Sequence, residues 1–301
     1  MSILDKKKAT INSLEDYIIR SINLYDRNEG LKDRFASTEN PEFLKYIDTE
    51  AILYHREIQE VGVPFPSSRE MLTVGGETDL RIFLSIGYEC FKSIRRFLPT
   101  DINNTAKVLD FGVGCARTMR HFYREVKNFE CYGCDVDKNA IDYLESSIQF
   151  IKASVTNNLP PLHYKEHYFD FVYSISVFTH LDRSAFIRWI NEISRILKKG
   201  GIFEISLHGS KAFEIIENQP DRRSLLGINK NEFELNKEKY QTEGYIWIKQ
   251  PVCSDDIDTS QFGISFISQA CFKKIISPHF TLIDYFEGEI GGWQDLAILK
   301  K

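Results

Sequence analysis

Two carboxylates stand on either side of a glycine turn. Asp110 ends a short apolar run and precedes Gly112 and Gly114, and Asp135 ends the next apolar run. Glycines allow backbone angles and a close approach that a β-carbon would obstruct. Backbone N–H groups at the start of the following helix can hold an anionic group. A carboxylate about twenty residues beyond such a turn can accept both hydroxyls of a ribose, so these four residues predict one nucleoside-sized site.

The charge of Asp110 narrows the choice of ligand. Dinucleotide-binding folds seat a pyrophosphate on G-x-G-x-x-G, and here Arg117 replaces the third glycine of that pattern. Asp110 would repel two phosphates but suits a ligand with an ammonium and a sulfonium. S-adenosylmethionine (SAM) carries both groups, with only a carboxylate for the helix start to hold. The residues therefore predict SAM as the cofactor, with a nicotinamide-dependent oxidoreductase as an alternative.

Three residues at predicted strand ends complete the candidate cofactor site. Val136 follows Asp135 and offers an apolar side chain to the face of an adenine. Ser154 ends the third predicted strand, where either its backbone or its hydroxyl could contact the adenine. Ser176 follows the fourth predicted strand.

Two histidines at predicted strand ends are candidate catalytic residues. His180 follows the fourth strand and His208 ends the fifth. Imidazole titrates near neutrality, so either residue could accept a proton from an attacking hydroxyl. The alternative is that each histidine only packs beside the cofactor. In the last strand Gln294 and Asp295 alternate, so only one of them can face the site.

Strands and helices alternate between residues 106 and 207, which predicts a parallel sheet with helices on both faces. We place strands at 107–111, 129–135, 149–153, 169–175 and 201–207, and helices at 115–126, 138–146 and 183–198. Asp182 or Ser184 is the expected N-cap of the last helix, and Asp137 that of the helix at 138. A helix over 79–98 precedes the first strand.

The remainder of the chain divides into three parts. Residues 1–78 read as an N-terminal helical region with helices near 13–25 and 41–61. Residues 79–208 form the predicted SAM-binding core. Residues 209–265 interrupt the alternation and are interpreted as an acceptor lid, and residues 266–301 supply a helix and a strand pair that complete the core.

Composition and sequence pattern argue against a nucleic-acid partner, a membrane location and a disulfide framework. The net charge of −5 and pI near 5.9 provide no basic field for a nucleic acid. The N-terminus lacks the apolar core of a signal peptide, and no stretch is long enough to cross a membrane. Six cysteines follow no disulfide framework, and Cys131 and Cys134 face opposite sides of a predicted strand. We therefore expect a cytosolic protein with structural thiols and no metal site.

The motifs resemble those of the class I SAM-dependent methyltransferases, whose first motif is D-x-G-x-G-x-G. Asp110, Gly112 and Gly114 match, and Ala116 replaces the last glycine. Asp135 matches the acid that ends the family's second strand. The segment FDFVYSISVFTHL resembles the fourth strand and its motif, ILKKGG with IFEISLHG resembles the fifth unit, and FTLIDYFEGEIGGWQDLAILKK resembles the closing strand pair.

The resemblance implies a seven-stranded Rossmann-like α/β sheet with the last strand antiparallel. It also implies methyl transfer from SAM to a small polar acceptor, for which we expect a hydroxyl of a sugar or related metabolite. The alternative within this family is a SAM-binding protein without catalysis that acts as a partner module.

Overall fold

The computed structural model describes residues 51, 63–75, 80–99, 105–250 and 263–301. The helices predicted near 13–25 and 41–61 lie outside the described residues, except for Ala51. Among the described residues, no helix is both long and apolar enough to cross a membrane, and no group of three or more His, Cys, Asp or Glu side chains could hold a metal ion.

A seven-stranded sheet organises the molecule in the order β3-β2-β1-β4-β5-β9-β8. Neighbouring strands from β3 to β5 are parallel, and β9 is antiparallel to both β5 and β8. The predicted topology is confirmed. The strands are β1 Ala106–Phe111, β2 Phe129–Asp135, β3 Ile151–Val155, β4 Phe169–Ser174, β5 Leu197–Leu207, β6 Tyr245–Lys249, β7 Gly263–Ile267, β8 Thr281–Ile290 and β9 Gln294–Lys300.

Helices cover both faces of this sheet. They are α1 Ser68–Gly75, α2 Leu80–Arg95, α3 Lys138–Ser147, α4 Arg183–Ile196, α5 Ser210–Asn218, α6 Pro220–Leu225, α7 Lys230–Glu243 and α8 Gln269–Ile276, with a 3₁₀ helix at Met119–Glu125. The side chain of Asp182 accepts a hydrogen bond from the Ala185 amide, and Asp137 accepts from the amides of Asn139 and Ala140. Both residues therefore cap helices, as their spacing predicts.

The helix predicted over 115–126 is wrong in type and in its start. A turn occupies the first positions, and only Met119–Glu125 forms a helix, with 3₁₀ geometry. Gly112, Gly114 and Ala116 all have positive φ, at 87°, 49° and 59°. A right-handed helix needs negative φ, so it begins only after these residues. The pair Met119 and Phe122 is spaced i, i+3, which a 3₁₀ helix places on one face as well as an α-helix does.

Strand register aligns a row of polar side chains inside the protein. Asp110 in β1 pairs with Tyr173 in β4, and Tyr173 pairs with Glu204 in β5. Residues in register on neighbouring strands point to the same face of a sheet. All three are buried, with exposed fractions of 4%, 0% and 0%.

The insertion forms a small substructure with its own apolar core. Helices α5 to α7 and the antiparallel hairpin β6–β7 enclose Phe213, Phe233, Ile246 and Phe266. We refer to residues 209–265 as the lid, of which residues 251–262 are outside the described part of the chain.

Candidate functional site

The glycine turn is tied to the end of β2. The amides of Gly112 and Val113 donate to the Cys134 carbonyl at 2.9 and 3.1 Å. The Gly114 amide donates to Asp135 Oδ2 at 2.8 Å, and the Asp137 amide donates to Asp135 Oδ1 at 2.9 Å. Each carboxylate oxygen can accept a further hydrogen bond. Asp135 therefore positions the turn and retains capacity for ligand hydroxyls.

Both glycines of the turn occupy positions where a side chain would collide. A β-carbon on Gly112 would lie 2.1 Å from Val177 Cγ2, and one on Gly114 would lie 2.5 Å from Val74 Cγ2. Val177 belongs to the segment after β4, and Val74 belongs to α1. The turn is thus enclosed between the fourth strand's end and α1, which gives a reason for both glycines beyond their positive φ.

Asp110 is buried near the end of β1, two residues before Gly112. Burial, assisted by the charge of Asp135, raises the pKa of its carboxyl to about 7 against the lowering effects of Tyr173 and Arg117. Burial also raises the pKa of Asp135. Two neighbouring carboxyl groups whose ionised forms are disfavoured would gain from a cationic ligand. This charge distribution fits SAM, because the ligand's ammonium and sulfonium are positive and its ribose supplies hydroxyls for Asp135.

Val136 and Ser154 occupy different surroundings. Val136 is 37% exposed beside Asp135, as expected of a side chain that could cover an adenine. Ser154 pairs with Cys134 rather than with Asp135, so its side chain points to the opposite face of the sheet. Its hydroxyl lies 3.2 Å from the Tyr164 hydroxyl. The structure therefore does not bring the Ser154 side chain to the carboxylate cluster.

Ser176 lies next to the turn in a strained conformation. Its φ is 61°, a region that non-glycine residues rarely adopt. The Ser176 amide donates to Ser206 Oγ at 2.8 Å, and Gln294 Nε2 lies 2.9 Å from Ser176 Oγ. Val177, the next residue, contacts Gly112. The sequence identifies Gln294 as a candidate but gives no signal for this pairing.

Asp295 is the residue of the last-strand pair that does not contact Ser176. It is buried and accepts hydrogen bonds from the Tyr285 hydroxyl at 2.6 Å and the Gly288 amide at 2.8 Å. These contacts join the two closing strands. Asp295 is thus a satisfied structural acid, and Gln294 is the residue of the pair that meets the fourth strand's end.

His180 is held by the lid hairpin. Its Nδ1 lies 2.8 Å from the Gly263 carbonyl, and because a carbonyl only accepts, Nδ1 carries the proton and Nε2 the lone pair. Burial lowers the pKa of the imidazole, and the Gly263 hydrogen bond opposes that shift. The ring is therefore neutral near pH 7, the form able to accept a proton.

His208 has both ring nitrogens engaged. Nδ1 donates to the Ser265 carbonyl at 3.1 Å, and Nε2 accepts from the Trp293 indole N–H at 2.8 Å. Burial lowers the pKa of His208 to about 3, assisted by the nearby His180. In this arrangement Nε2 already holds a proton donor, so His208 positions the lid and Trp293 and is not available to take a proton.

Strand β7 of the lid bonds directly to the loop after β4. The Ser265 amide donates to the Thr179 carbonyl at 2.8 Å, and the Gly263 amide donates to the His180 carbonyl at 3.2 Å. The indole N–H of Trp247 donates to the same His180 carbonyl at 3.0 Å. These contacts fix the lid over the carboxyl ends of β4 and β5, the edge at which doubly wound sheets bind ligands. Sequence reasoning places the lid there but cannot identify its contacts.

The strand order, glycine turn and second-strand acid together define the class I SAM-dependent methyltransferases. Residues 108–201 match a protein family described as a methyltransferase domain. The chain thus contains a methyltransferase domain within the fold of these enzymes, for which S-adenosylmethionine is the cofactor.

Solved structures have the same fold. The chain is similar to a putative SAM-dependent methyltransferase from Listeria monocytogenes, with 13% identity, a TM-score of 0.50, and coverage of 71% of this chain and 97% of that one. It is also similar to a chain in the complex between the Haloferax volcanii Trm112 methyltransferase activator and a putative methyltransferase, with 12% identity, a TM-score of 0.50, and coverage of 79% and 99%. No curated protein sequence matches the chain significantly.

Proposed function

We propose that the protein transfers the methyl group of SAM to a hydroxyl of a small polar acceptor, with a sugar or related metabolite as the first candidate. The observation that carries this proposal is the tautomer of His180, whose Nε2 holds the lone pair at the carboxyl end of β4. A hydroxyl must lose its proton as it attacks, and a neutral imidazole can accept that proton.

The proposed cofactor residues are Asp110, Gly112, Gly114, Asp135 and Val136. When bound, SAM supplies a methyl group already activated by its sulfonium. Asp135 would accept hydrogen bonds from the ribose, Val136 would cover the adenine, and the carboxylate of Asp110 would face the positive end of the ligand. The two glycines keep the backbone close to the ligand.

The acceptor residues are proposed to lie between the strand ends and the lid. Ser176 and Gln294 form a polar pair next to the turn, and they would orient an acceptor by hydrogen bonds. His180 would receive the proton, while His208 and Trp293 hold the lid in place. Alignment of the two reacting atoms, with water excluded, can supply as much as about 7–11 kcal/mol of the barrier.

The bonds between β7 and residues 179–180 support a small acceptor, because a lid fixed to the strand ends would obstruct a macromolecule. The net charge of −5 supports an acceptor other than a nucleic acid. The described cysteines Cys90, Cys115, Cys131, Cys134 and Cys271 are free thiols, which supports the cytosol as the site of action.

The test is incubation of the protein with SAM and pooled nucleotide sugars, polyols and phenols, and in separate reactions with pooled amines and pooled carboxylates. A hydroxyl methyltransferase should release S-adenosylhomocysteine and increase the mass of one acceptor by one CH₂ group. Release with an amine or carboxylate acceptor only would contradict the proposed acceptor class. Binding of SAM without any product across all acceptor classes would favour the non-catalytic alternative.

A further inference from the structure

Helix α6 of the lid carries two consecutive arginines with different surroundings. Arg223 is buried, donates to the Ile216 carbonyl at 3.2 Å, and places its guanidinium carbon 4.8 Å from the centre of the Phe233 ring. Arg222 is exposed, and its guanidinium carbon lies 4.6 Å from the centre of the Trp293 ring. Consecutive residues of a helix do not face the same way. A helix anchored by Arg223 in the lid core therefore directs Arg222 outward, onto Trp293.

Arg222 has no anionic partner in the described part of the chain. The residues described there give its guanidinium the ring of Trp293 but neither a hydrogen bond nor an ion pair. Another lid cation is neutralised, since Lys237 pairs with Glu217 at 2.5 Å. Contact with an aromatic face leaves the five N–H donors of a guanidinium unused. Arg222 can therefore bind an anion.

Trp293 links Arg222 to the histidines at the strand ends. Its indole N–H donates to His208 Nε2 at 2.8 Å, and the two ring centres lie 5.0 Å apart. Burial lowers the pKa of His208, and the charges of His180 and Arg222 lower it further. His208 thus has the proposed base on one side and, through Trp293, the guanidinium on another.

Trp293 also leads directly into the polar pair of the proposed acceptor site. The next residue, Gln294, places its Nε2 2.9 Å from Ser176 Oγ. Arg222 and Ser176 therefore contact consecutive residues of one chain segment. A small molecule oriented by the Ser176–Gln294 pair can extend from there toward the guanidinium.

We propose that the methyl acceptor carries a phosphate group, which Arg222 binds while the hydroxyl of the acceptor lies at His180. The planar guanidinium offers parallel N–H donors that match two phosphate oxygens. A phosphate monoester carries roughly two negative charges near pH 7, so it is the oxyanion that a single exposed cation holds most strongly. This inference rests on the proposed hydroxyl methyltransferase function and adds to it the chemical class of the acceptor.

Separate acceptor pools test the class. Sugar phosphates, nucleotide sugars, uronic acids, and neutral sugars with polyols are each incubated with the wild-type protein and SAM, and release of S-adenosylhomocysteine is measured. A phosphate-bearing pool should be turned over at least about tenfold faster than the uronic or neutral pools. Preference for uronic acids or neutral sugars would overturn the inference and leave the hydroxyl methyltransferase standing. No release in any pool would instead contradict the proposed function, and the inference would fall with it.

Substitution of Arg222 tests the residue. Arg222→Gln should raise KM for the phosphate-bearing acceptor by about tenfold or more and change kcat by less than about twofold, because the lost contact lies away from the reacting atoms. Arg222→Lys keeps the charge without the fork and should fall between the two. The matched control Arg188→Gln removes the same charge from an exposed position of α4, outside the lid, and should change neither constant. Equal KM values for wild type and Arg222→Gln would overturn the inference.

Inorganic pyrophosphate serves as a probe of the anion site. It should inhibit the wild-type protein competitively with the phosphate-bearing acceptor and not with SAM, since it would occupy Arg222 and leave the cofactor site open. Its inhibition constant should rise by about tenfold in Arg222→Gln and stay unchanged in Arg188→Gln. Inhibition that competes with SAM, that is equal in all three proteins, or that is absent from the wild type would overturn the inference.

Discussion

His180 and Gly263 are joined by two hydrogen bonds in opposite directions. The Gly263 amide donates to the His180 carbonyl at 3.2 Å, and His180 Nδ1 donates to the Gly263 carbonyl at 2.8 Å. One residue follows β4 and the other begins β7 of the lid. The pair therefore fixes the tautomer of the proposed base and attaches the lid at the same point.

His180→Ala should lower turnover by roughly 10²- to 10⁴-fold, the usual contribution of a general base, and should leave SAM affinity nearly unchanged. The control is His279→Ala, because His279 is exposed and far along the chain. Turnover is measured by release of S-adenosylhomocysteine and affinity by calorimetry. Unchanged turnover with the true acceptor would remove His180 from the mechanism. Because the pKa of His180 is lowered, activity should persist below the pH at which an ordinary histidine becomes protonated.

Asp110 should make cofactor binding depend on pH. Its pKa is raised to about 7, so the carboxyl is partly protonated in the free protein near neutrality. A cationic ligand favours the ionised form, so binding below pH 7 releases a proton, and affinity should rise as the pH is raised toward 7, by up to about tenfold per pH unit.

Calorimetry in two buffers with different ionisation enthalpies detects this proton. Asp110→Asn should weaken SAM and abolish the proton release, whereas Asp142→Asn, which removes an exposed acid from α3, should do neither. Binding that is independent of pH in the wild type would contradict the placement of Asp110 at the positive end of the ligand.

Glu204 should make stability fall as the pH rises. Its carboxyl is fully buried, and neither oxygen has a hydrogen-bond partner in the described part of the chain. Burial raises its pKa from 4.5 to about 8, so the folded protein holds a proton that the unfolded chain releases. Stability from this group is present below pH 4.5 and is lost progressively up to about pH 8.

Glu204→Gln removes this titration, so the variant should gain stability relative to the wild type as the pH rises across that interval. The control Glu130→Gln should instead lose stability relative to the wild type as the pH rises from about 2 to 4.5. The reason is that the hydrogen bond with Lys152 lowers the pKa of Glu130 from 4.5 to about 2. Its small contribution is therefore present above 4.5 and lost as the pH falls toward 2. Denaturation midpoints at several pH values measure both. Parallel profiles for wild type and Glu204→Gln would contradict the buried titration.

Gly112→Ala should abolish cofactor binding as well as destabilise the fold. The new β-carbon would lie 2.1 Å from Val177 Cγ2, at a φ of 87°, so the segment that holds Ser176 must move. Gly200→Ala is the matched control, because its φ is 79° and nothing lies within 4 Å of the added carbon. The control should cost only about 1–2 kcal/mol from the left-handed backbone. Equal effects of the two changes on SAM affinity would show that the Val177 side chain can move aside without loss of cofactor binding, and would contradict this prediction.

The sequence predicts the strands well because each is an apolar run ended by a charged or small residue. β2 has the predicted limits, and β1 and β4 differ by one residue at one end. β5 begins earlier than predicted, at Leu197, because Leu197 pairs with Phe169 on the far side of an irregularity in the β4–β5 register that includes both glycines. The helix after the turn could not be predicted in type, since Met119 and Phe122 share a face in either helical geometry.

The amino-acid sequence by itself determined that Asp110 and Asp135 end neighbouring strands beside a glycine turn. Parallel strands bring their carboxyl ends to one edge, so local spacing was enough to bring these acids together. Only the tertiary structure decided that Gln294 meets Ser176, 118 positions away, and that Gly263 meets His180, 83 positions away. Hydrogen-bond partners so distant in the chain are determined by how the whole sheet and the lid pack together. They therefore cannot be deduced from any local pattern of residues.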